Sequence, residues 1–274
     1  MNSQNDNFRH CKLCGQPAAE PAYRLGEGTV YCCRQCDFHF LNRLDSVQQS
    51  AEEPAPLTAI GRTYIDARRD ESERLHPKRL ELVQSFISKT DINALDVGAG
   101  LGQFQLLLTG PGVTATGIEP STLRRDYARE AFGVELHPQL VEDRYWQDNY
   151  REHFDLVTLW DVLEHVDFPR ETLASAVSLL KPGGILALET PAREVFSYRL
   201  SEWLYRLSSG RISLFLPSFY SAARFGHKQI FTRRQLAGLL KECGLKILLA
   251  VDSYTPALLR GSKIILVGRK PPAP

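Results

Sequence analysis

Four cysteines near the start of the chain have the spacing of a metal site. Cys11 and Cys14 form one C-x2-C pair, Cys33 and Cys36 form a second, and 18 residues separate the two pairs. Four thiolates spaced in this way can surround a zinc ion tetrahedrally. Because no ligand position stays open for water, we predict a structural zinc site. The alternative is a cluster of reduced thiols without metal, and Cys32 is a spare thiol with poorer spacing.

A glycine-rich turn is the second feature whose residue types could do chemistry. In ALDVGAGLGQF, Asp96 lies near the end of an apolar run, and Gly98, Gly100 and Gly102 follow at alternate positions. Glycine lets the backbone turn with no Cβ in the way, and FQLLL predicts a helix whose first N–H groups face a bound ligand. The order D-x-G-x-G-x-G differs from a dinucleotide loop and lacks the Lys of a P-loop. The pattern therefore argues against a pyrophosphate or triphosphate ligand.

A carboxylate follows the next predicted strand. Glu119 comes directly after the apolar segment 113–118 and before Pro120 and Ser121, which begin a predicted helix. A carboxylate at this end of a strand can accept hydrogen bonds from both hydroxyls of a ribose. The alternative is a solvated charge at a strand end.

These side chains need a sheet to position them. Apolar segments at 94–97, 113–118 and 154–160 alternate with helical patterns, which is typical of a doubly wound, mostly parallel α/β sheet. Segments 245–251 and 262–269 predict a closing pair of strands. With a short strand at 134–136 and the strand ILALET, we predict seven strands.

Composition restricts the classes of function. The 274 residues include 33 Lys and Arg and 32 Asp and Glu, so a net charge of +1 gives no general attraction to nucleic acid. The polar start MNSQNDNFRH and the absence of a long apolar run predict neither a signal peptide nor a transmembrane helix. Five of the six cysteines lie in residues 11–36, which favours metal in a reducing compartment. We therefore expect a cytoplasmic protein.

Several phrases together resemble a known family. The glycine turn resembles the first motif of class I S-adenosylmethionine-dependent methyltransferases, and WDVLEHV, LKPGG and the H-x3-F-T phrase follow in that family's order. The resemblance implies a Rossmann-like methyltransferase sheet and S-adenosylmethionine as cofactor. Glu119 then lies on the ribose side of that cofactor. The other cofactor contacts that we expect are Asp96, Gly98, Gly100, Gly102, Pro120, Asp143, Trp160 and Asp161.

The resemblance leaves two roles open. Asp143 is expected to receive the adenine amino group, but Leu140 and Val141 could wall the ring instead, with backbone atoms making the hydrogen bonds. His165 and His227 are the candidate general bases, because a histidine has a pKa near working pH. The alternative for both histidines is a role in orienting their loops.

The N-terminal cysteines extend the resemblance to bacterial methyltransferases of sugars and other small metabolites. We expect a zinc-binding module at residues 1–44, a polar linker at 45–72 and a methyltransferase domain at 73–270. Residues 192–226 form an insertion with apolar residues at helical spacing, which predicts a lid over the substrate. A dimer contact or a surface resting on lipid headgroups is the alternative.

The function predicted from these features is methyl transfer to a small-molecule acceptor. The acceptor is a sugar or a quinone- or polyketide-like metabolite, and its oxygen, nitrogen or carbon receives the methyl group. One alternative is an RNA methyltransferase, but residues 1–45 contain five Lys and Arg against five Asp and Glu, which argues against a nucleic-acid grip. A non-catalytic protein that binds the cofactor is another. We expect a monomer or a homodimer.

Overall fold

The computed structural model describes residues 6–26, 28–45, 59–222, 226–253 and 263–272, without the side chains of residues 6, 7, 59–64, 67 and 68. A short 3-10 helix, Asp6–Arg9, precedes the first strand. The strands are β1 (Ala19–Leu25), β2 (Gly28–Cys33), β3 (His39–Leu41), β4 (Ile92–Val97), β5 (Val113–Ile118), β6 (Phe154–Trp160), β7 (Leu180–Pro191), β8 (Gln229–Ile230), β9 (Lys246–Asp252) and β10 (Lys263–Arg269). The α-helices are α1 (Ala59–Gln84), α2 (Gln103–Leu108), α3 (Thr122–Phe132), α4 (Arg144–Asn149), α5 (Pro169–Leu179), α6 (Phe196–Leu207), α7 (Leu216–Phe219) and α8 (Arg233–Glu242).

The larger sheet has the predicted doubly wound form. Among the described residues it contains six strands in the order β5-β4-β6-β7-β10-β9. The first four strands are parallel, and β10 runs antiparallel to both of its neighbours, β7 and β9. The carboxyl ends of β4, β5 and β6 therefore meet at one edge of the sheet, which is where ligands bind in this class of fold.

The seventh strand is reduced to a single bridge. Residues 134–136, predicted as a short strand, do not form one, and only His137 pairs in parallel with Ile118 beyond β5. The pair makes two hydrogen bonds, from the Glu119 amide to His137 and from the His137 amide to Gly117, each 2.9 Å. Pro138 follows directly and has no N–H to donate, so the ladder ends there.

Helices cover both faces of this sheet. All seven residues of β6 are buried, because the strand lies in the middle of the sheet. On one face Val83 of α1 and Phe104 of α2 pack with Leu156 and Trp160 of β6. The other face contributes to the largest apolar cluster, which continues into the N-terminal part of the chain.

The N-terminal segment does not complete its own sheet. The smaller sheet is antiparallel, in the order β1-β2-β3-β8, and β8 comes from the far end of the methyltransferase part. His39 pairs with Ile230 and Phe40 with Gln229. The ring of Phe231, directly after β8, lies 5.1 Å from that of Phe38. Strand pairing and apolar contact therefore join the cysteine module to the rest of the molecule.

Helix α1 begins earlier than the sequence predicts. The expected linker 45–72 has its second half in this helix from Ala59 onward, and residues 46–58 lie outside the described residues. The expected domain start at 73 therefore falls inside a continuous helix. Its first half is polar and charged, a composition that suggested a linker. Arg69 lies 3.7 Å from both Asp66 and Glu73, and such pairs support a solvent-facing helix. In the part of the chain that the structure describes, no helix is long and apolar enough to cross a bilayer.

Candidate functional site

A cavity of about 870 Å³ lies at the carboxyl ends of β4, β5 and β6. Its volume is in the range of small-molecule sites. The walls come from the turn after β4, the turn after β5, the segment before α4 and the loop after β6. Nine of the residues predicted to bind cofactor or act in catalysis line it: Asp96, Gly98, Gly100, Glu119, Pro120, Asp143, Trp160, Asp161 and His165. Gly102 and His227 do not line it.

The glycine turn needs glycine for two different reasons. Gly98, Gly100 and Gly102 all have positive φ angles of 72°, 58° and 76°. A Cβ on Gly98 would lie 2.6 Å from Val162, and one on Gly102 would lie 2.9 Å from Val134, so these two positions are required for packing. A Cβ on Gly100 would meet no atom within 4 Å, and Gly100 lines the cavity. Gly100 therefore leaves space that a ligand can occupy beside the backbone.

Glu119 is held rigidly at the end of β5. Its side chain is 1% exposed, and its two carboxylate oxygens accept hydrogen bonds from the amides of Gly100 and Ser121, each at 2.9 Å. Arg124 lies 3.4 Å from the carboxylate. The Gly100 contact joins the carboxylate to the glycine turn, so the predicted ribose contact and the predicted close approach of backbone lie side by side. The ribose role itself stays a prediction.

Asp96 lies at the base of the cavity near the end of β4. Its carboxylate accepts a hydrogen bond of 2.6 Å from the hydroxyl of Thr158 on the neighbouring strand β6. Burial raises the pKa of Asp96 to about 7, and the Thr158 hydroxyl opposes part of this shift. Asp96 therefore braces two strands beneath the turn, while part of it also lines the cavity.

The expected adenine end is formed by the segment before α4. Asp143 accepts a 2.8 Å hydrogen bond from the amide of Leu140, which fixes the turn that starts the helix. Leu140 and Val141 line the cavity together with Asp143, and Leu140 is half exposed. Both arrangements predicted for adenine, an amino group on Asp143 or an apolar wall, are compatible with this placement and stay predictions.

The opposite end is built around a buried group of charges. Asp161 follows β6 with a φ of 57°, and its carboxylate accepts hydrogen bonds of 2.8 Å from both Arg79 and Lys263. Glu189 shares the same two cations, at 3.1 Å and 3.5 Å. Burial favours a protonated Asp161, but Lys263 and Arg79 outweigh it and hold the pKa of Asp161 below its usual value. The guanidinium of Arg79 also lies 5.0 Å from the Trp160 ring centre.

Arg79 is a site residue that sequence reasoning missed. It lines the cavity, and its side chain is 4% exposed. Its position in α1 carried a signal, because Arg79 lies three residues after the buried His76 and four before the buried Val83. A cation on the buried face of a helix implies a buried acidic partner. Lys263 gave no comparable signal, because its partners are 102 residues and 74 residues away in the sequence.

The two candidate bases come from the loop after β6 and from the segment just before β8. The rings of His165 and His227 are 4.8 Å apart, and Glu164 Oε1 lies 3.9 Å from Nε2 of His165. Burial and the neighbouring His227 lower the pKa of His165 to about 3, so it is neutral at physiological pH. Burial and the charge of Asp161 raise the pKa of Glu164 to about 8. His165 lines the cavity and His227, which does not, lies against it, so the structure brings the two predicted bases together.

The loop that carries His165 is fixed by residues next to His227. The buried ammonium of Lys228 donates to the His165 carbonyl at 2.7 Å and pairs with Asp45 and Asp167. The side-chain amide of Gln229 donates to two further carbonyls of the same loop. The H-x3-F-T phrase therefore holds the DVLEHV phrase in place.

The four predicted cysteine ligands converge. The sulfur atoms of Cys11, Cys14, Cys33 and Cys36 all lie within 4.8 Å of one another, and two of the pairs are 3.6 Å apart. Sulfurs at the corners of a tetrahedron around zinc are about 3.8 Å apart, given Zn–S bonds of about 2.3 Å. The Leu13 amide donates to the Cys11 sulfur, as knuckle turns do. This donor set fits a closed metal site.

The described part of the insertion 192–226 does not border the cavity. Within its described residues, 192–222 and 226, none belongs to the cavity wall, and α6 packs on the cysteine module instead. A lid role stays a prediction that this placement does not support.

Sequence comparisons agree with the geometry. A family model described as a methyltransferase domain matches residues 67–250. A ubiquinone biosynthesis O-methyltransferase from Nitrosococcus oceani is 32% identical over 141 residues, which is 48% of this chain and 59% of that protein. One of the same name from Xanthomonas axonopodis pv. citri is 30% identical over 178 residues, 63% of this chain and 70% of that protein. The chain thus spans less than two thirds of the length of the first curated relatives that it matches.

Solved structures show the same fold. A SAM-dependent methyltransferase from Methanosarcina mazei has a TM-score of 0.54 at 18% identity, covering 70% of this chain and 98% of that one. One from Thermotoga maritima has a TM-score of 0.50 at 20% identity, covering 76% of this chain and 99% of that one. With the family match over two thirds of the sequence, these findings lead to one conclusion: the chain belongs to the methyltransferase-domain family and has the class I S-adenosylmethionine-dependent methyltransferase fold.

Proposed function

We propose that this protein transfers a methyl group from S-adenosylmethionine to a hydroxyl group of a small-molecule acceptor. The observation that carries the proposal is the open space beside Gly100, in a cavity that also contains Glu119 at one end and Trp160 and Asp161 at the other. The similarity to ubiquinone biosynthesis O-methyltransferases supports oxygen as the acceptor atom and a quinone-like ring as the acceptor class.

The cofactor would lie along the glycine turn. Glu119 would accept hydrogen bonds from the ribose, and Asp143, Leu140 and Val141 would surround the adenine. At the other end Arg79 would offer a cation to the methionine carboxylate, and Asp161 would accept a hydrogen bond from the amino group. S-adenosylmethionine supplies a methyl group on a positively charged sulfur, and transfer breaks the S–CH3 bond as the O–CH3 bond forms.

The chain's own residues would align the acceptor and take its proton. The acceptor hydroxyl must approach within about 3 to 3.5 Å in line with the bond that breaks. His165 lines the cavity with an unprotonated ring and would be the group that receives the hydroxyl proton. Its pKa of about 3 makes it a weak base until Glu164 ionises beside it. Glu164, whose pKa is about 8, would stabilise the resulting imidazolium once it ionises, since its carboxylate lies 3.9 Å from the ring. His227 beside it would position the ring.

The cysteine cluster would hold a structural zinc ion. Four thiolates leave no position for water or substrate, so the metal would fold the knuckles and take no part in methyl transfer. The sulfur distances and the Leu13 amide support this assignment.

Calorimetric titration with S-adenosylhomocysteine tests the cofactor site. We expect Gly100→Leu to weaken binding about tenfold or more, because the new side chain would occupy the cavity. Gly133→Leu is the matched control, since Gly133 also has a positive φ, of 65°, with no atom within 4 Å of its Cβ position, and does not line the cavity. Equal affinity in the two variants would show that the cofactor binds elsewhere.

The acceptor atom needs a separate measurement. Incubation with S-adenosylmethionine and a set of hydroxylated aromatic compounds should give O-methylated products, detected by mass spectrometry. Methylation of amines with no reaction at hydroxyl groups would contradict an oxygen acceptor.

A further inference from the structure

Helix α6 has its inner face fully engaged. The hydroxyl of Tyr198 hydrogen-bonds to His39 of β3 at 2.8 Å, and Glu202 accepts a 2.6 Å hydrogen bond from the Tyr23 hydroxyl of β1. The Tyr205 hydroxyl accepts from a backbone amide of the same strand. These contacts fix which side of the helix faces the cysteine module.

The opposite side of α6 is an apolar stripe that faces solvent. We define the outer stripe as Phe196, Leu200, Trp203 and Leu207. At 100° per residue these positions span about 60° of the helix circumference. Phe196 is 78% exposed, Trp203 59% and Leu207 69%. An amphipathic helix normally turns its apolar face toward the core. Helix α6 instead turns this apolar stripe toward solvent and its hydrogen-bonding side chains toward the protein.

The apolar surface continues past the end of the helix. Ile212, Leu214 and Phe215 are each about half exposed, and hydrogen bonds to the hydroxyls of Ser208 and Ser201 hold this segment. Of the twelve large apolar side chains that are exposed in the described residues, six lie within residues 196–215. Isolated exposed apolar residues are common, but such a concentration marks an interaction surface.

Positive charges accompany this surface. Arg199, Arg206 and Arg211 are exposed and lie on or just after α6. The only acidic residue within residues 196–215 is Glu202, which points toward β1 and also pairs with Arg206. In a symmetric contact with a second copy, each patch would face itself and the arginines would repel one another. An anionic partner avoids that repulsion.

We propose that the outer stripe and the segment 208–215 rest on the surface of an anionic phospholipid membrane. Phe196, Trp203 and Leu207 would enter the boundary between headgroups and acyl chains, where tryptophan is favoured, and the three arginines would contact lipid phosphates. The surface does not border the cavity, so the inference is independent of the acceptor proposed above.

Vesicle sedimentation with the full chain tests this inference. We expect the protein to bind phosphatidylcholine vesicles that contain phosphatidylglycerol, and to bind pure phosphatidylcholine vesicles about tenfold more weakly. Trp203 is the exposed one of the three tryptophans, so its emission should shift to shorter wavelength on binding. Trp203→Phe should abolish that shift and keep the binding.

Two sets of variants distinguish binding through this surface from nonspecific hydrophobic adsorption. Phe196→Ser with Trp203→Ser and Leu207→Ser should lose binding, whereas Leu106→Ser with Leu107→Ser and Val251→Ser removes exposed apolar side chains elsewhere and should keep it. Arg199→Glu with Arg211→Glu leaves the outer stripe intact and should also lose binding to anionic vesicles.

Three results would overturn the inference. These are no binding to anionic vesicles, equal binding by the stripe variant and its control, or a dimer in analytical ultracentrifugation that the stripe variant alone loses. The last would assign the surface to a second copy of the chain.

Discussion

At the scale of single residues, the candidate base and its carboxyl neighbour have opposite pKa shifts with a common cause. Burial disfavours charge on both side chains, so it lowers the pKa of His165 and raises that of Glu164. Near neutral pH both groups are therefore uncharged. Ionisation of Glu164 above about pH 8 would strengthen His165 as a base, because the negative charge lies 3.9 Å from the ring.

The raised pKa of Glu164 predicts a pH-dependent change in stability. Its ordinary value is 4.5 and its folded value is about 8, so the folded state binds more protons than the unfolded state between these values. Stability from this group is thus complete below pH 4.5 and is lost as pH rises through 8. We expect Glu164→Gln to raise the melting temperature relative to the wild type more at pH 9 than at pH 5.

Calorimetry of both proteins across this pH range measures the effect, at about 2 to 4 °C for each kcal/mol. Glu81→Gln, on the exposed side of α1, is the control for the removal of one surface carboxylate. A constant difference for Glu164→Gln across this pH range would mean that Glu164 is ionised in the folded protein throughout.

At the scale of elements, the turn between β4 and α2 combines packing with access. Gly98 and Gly102 leave room for Val162 and Val134, which pack against the turn from two different sides. Gly100 between them leaves room for a ligand. The turn is therefore tightly packed at Gly98 and Gly102, and it leaves open space beside Gly100.

Gly102→Ala should destabilise the protein because the new methyl group would clash with Val134. The added Cβ would lie 2.9 Å from the Val134 side chain, and φ is 76°. We expect a loss of about 2 to 4 kcal/mol in the free energy of unfolding, from overpacking and from the left-handed backbone. Urea unfolding measures it.

The second change Val134→Ala relieves only the overpacking. Its effect in the Gly102→Ala background should be smaller than in the wild type, where it leaves a cavity. Equal effects of Val134→Ala in both backgrounds would show that the two side chains do not meet.

At the scale of the whole molecule, the cysteine module and the methyltransferase part are built into each other. Strand β8 completes the small sheet. The side-chain amide of Gln235 at the start of α8 donates to the Cys36 carbonyl, and Arg170 of α5 donates to the Leu13 carbonyl. Both knuckles therefore contact helices of the methyltransferase part. Unfolding of the knuckles should therefore destabilise the methyltransferase part as well.

Metal removal should accordingly destabilise the entire chain. We expect a zinc chelator to lower the melting temperature by roughly 10 °C or more while unfolding remains a single transition in calorimetry. Cys14→Ser should lose bound metal in mass spectrometry. Cys32→Ser should retain it, because the Cys32 sulfur lies beside Asp37 instead of within the cluster. Two separate transitions after chelation would show that the module folds on its own.

The sequence by itself determined the features that are coded locally. The spacing of the cysteines, the alternate glycines and the position of Glu119 after an apolar strand each depend on a few neighbouring residues. Because a parallel sheet brings its carboxyl ends to one edge, nine predicted site residues line one cavity. The alternation of apolar segments with helical patterns likewise predicted the doubly wound sheet. The exception is the seventh strand, which Pro138 reduces to a single bridge.

Only the tertiary structure decided what depends on distant segments. Arg79 and Lys263 reach Asp161 from 82 and 102 residues away, and β8 crosses into the small sheet. Periodicity identified α6 as amphipathic but could not show that its apolar side faces outward. The orientation of the helix depends on which of its faces makes hydrogen bonds to the protein. Tyr198, Tyr205 and Glu202 make theirs with residues of β1 and β3. Long-range pairing leaves no local pattern, which is why the sequence did not reveal it.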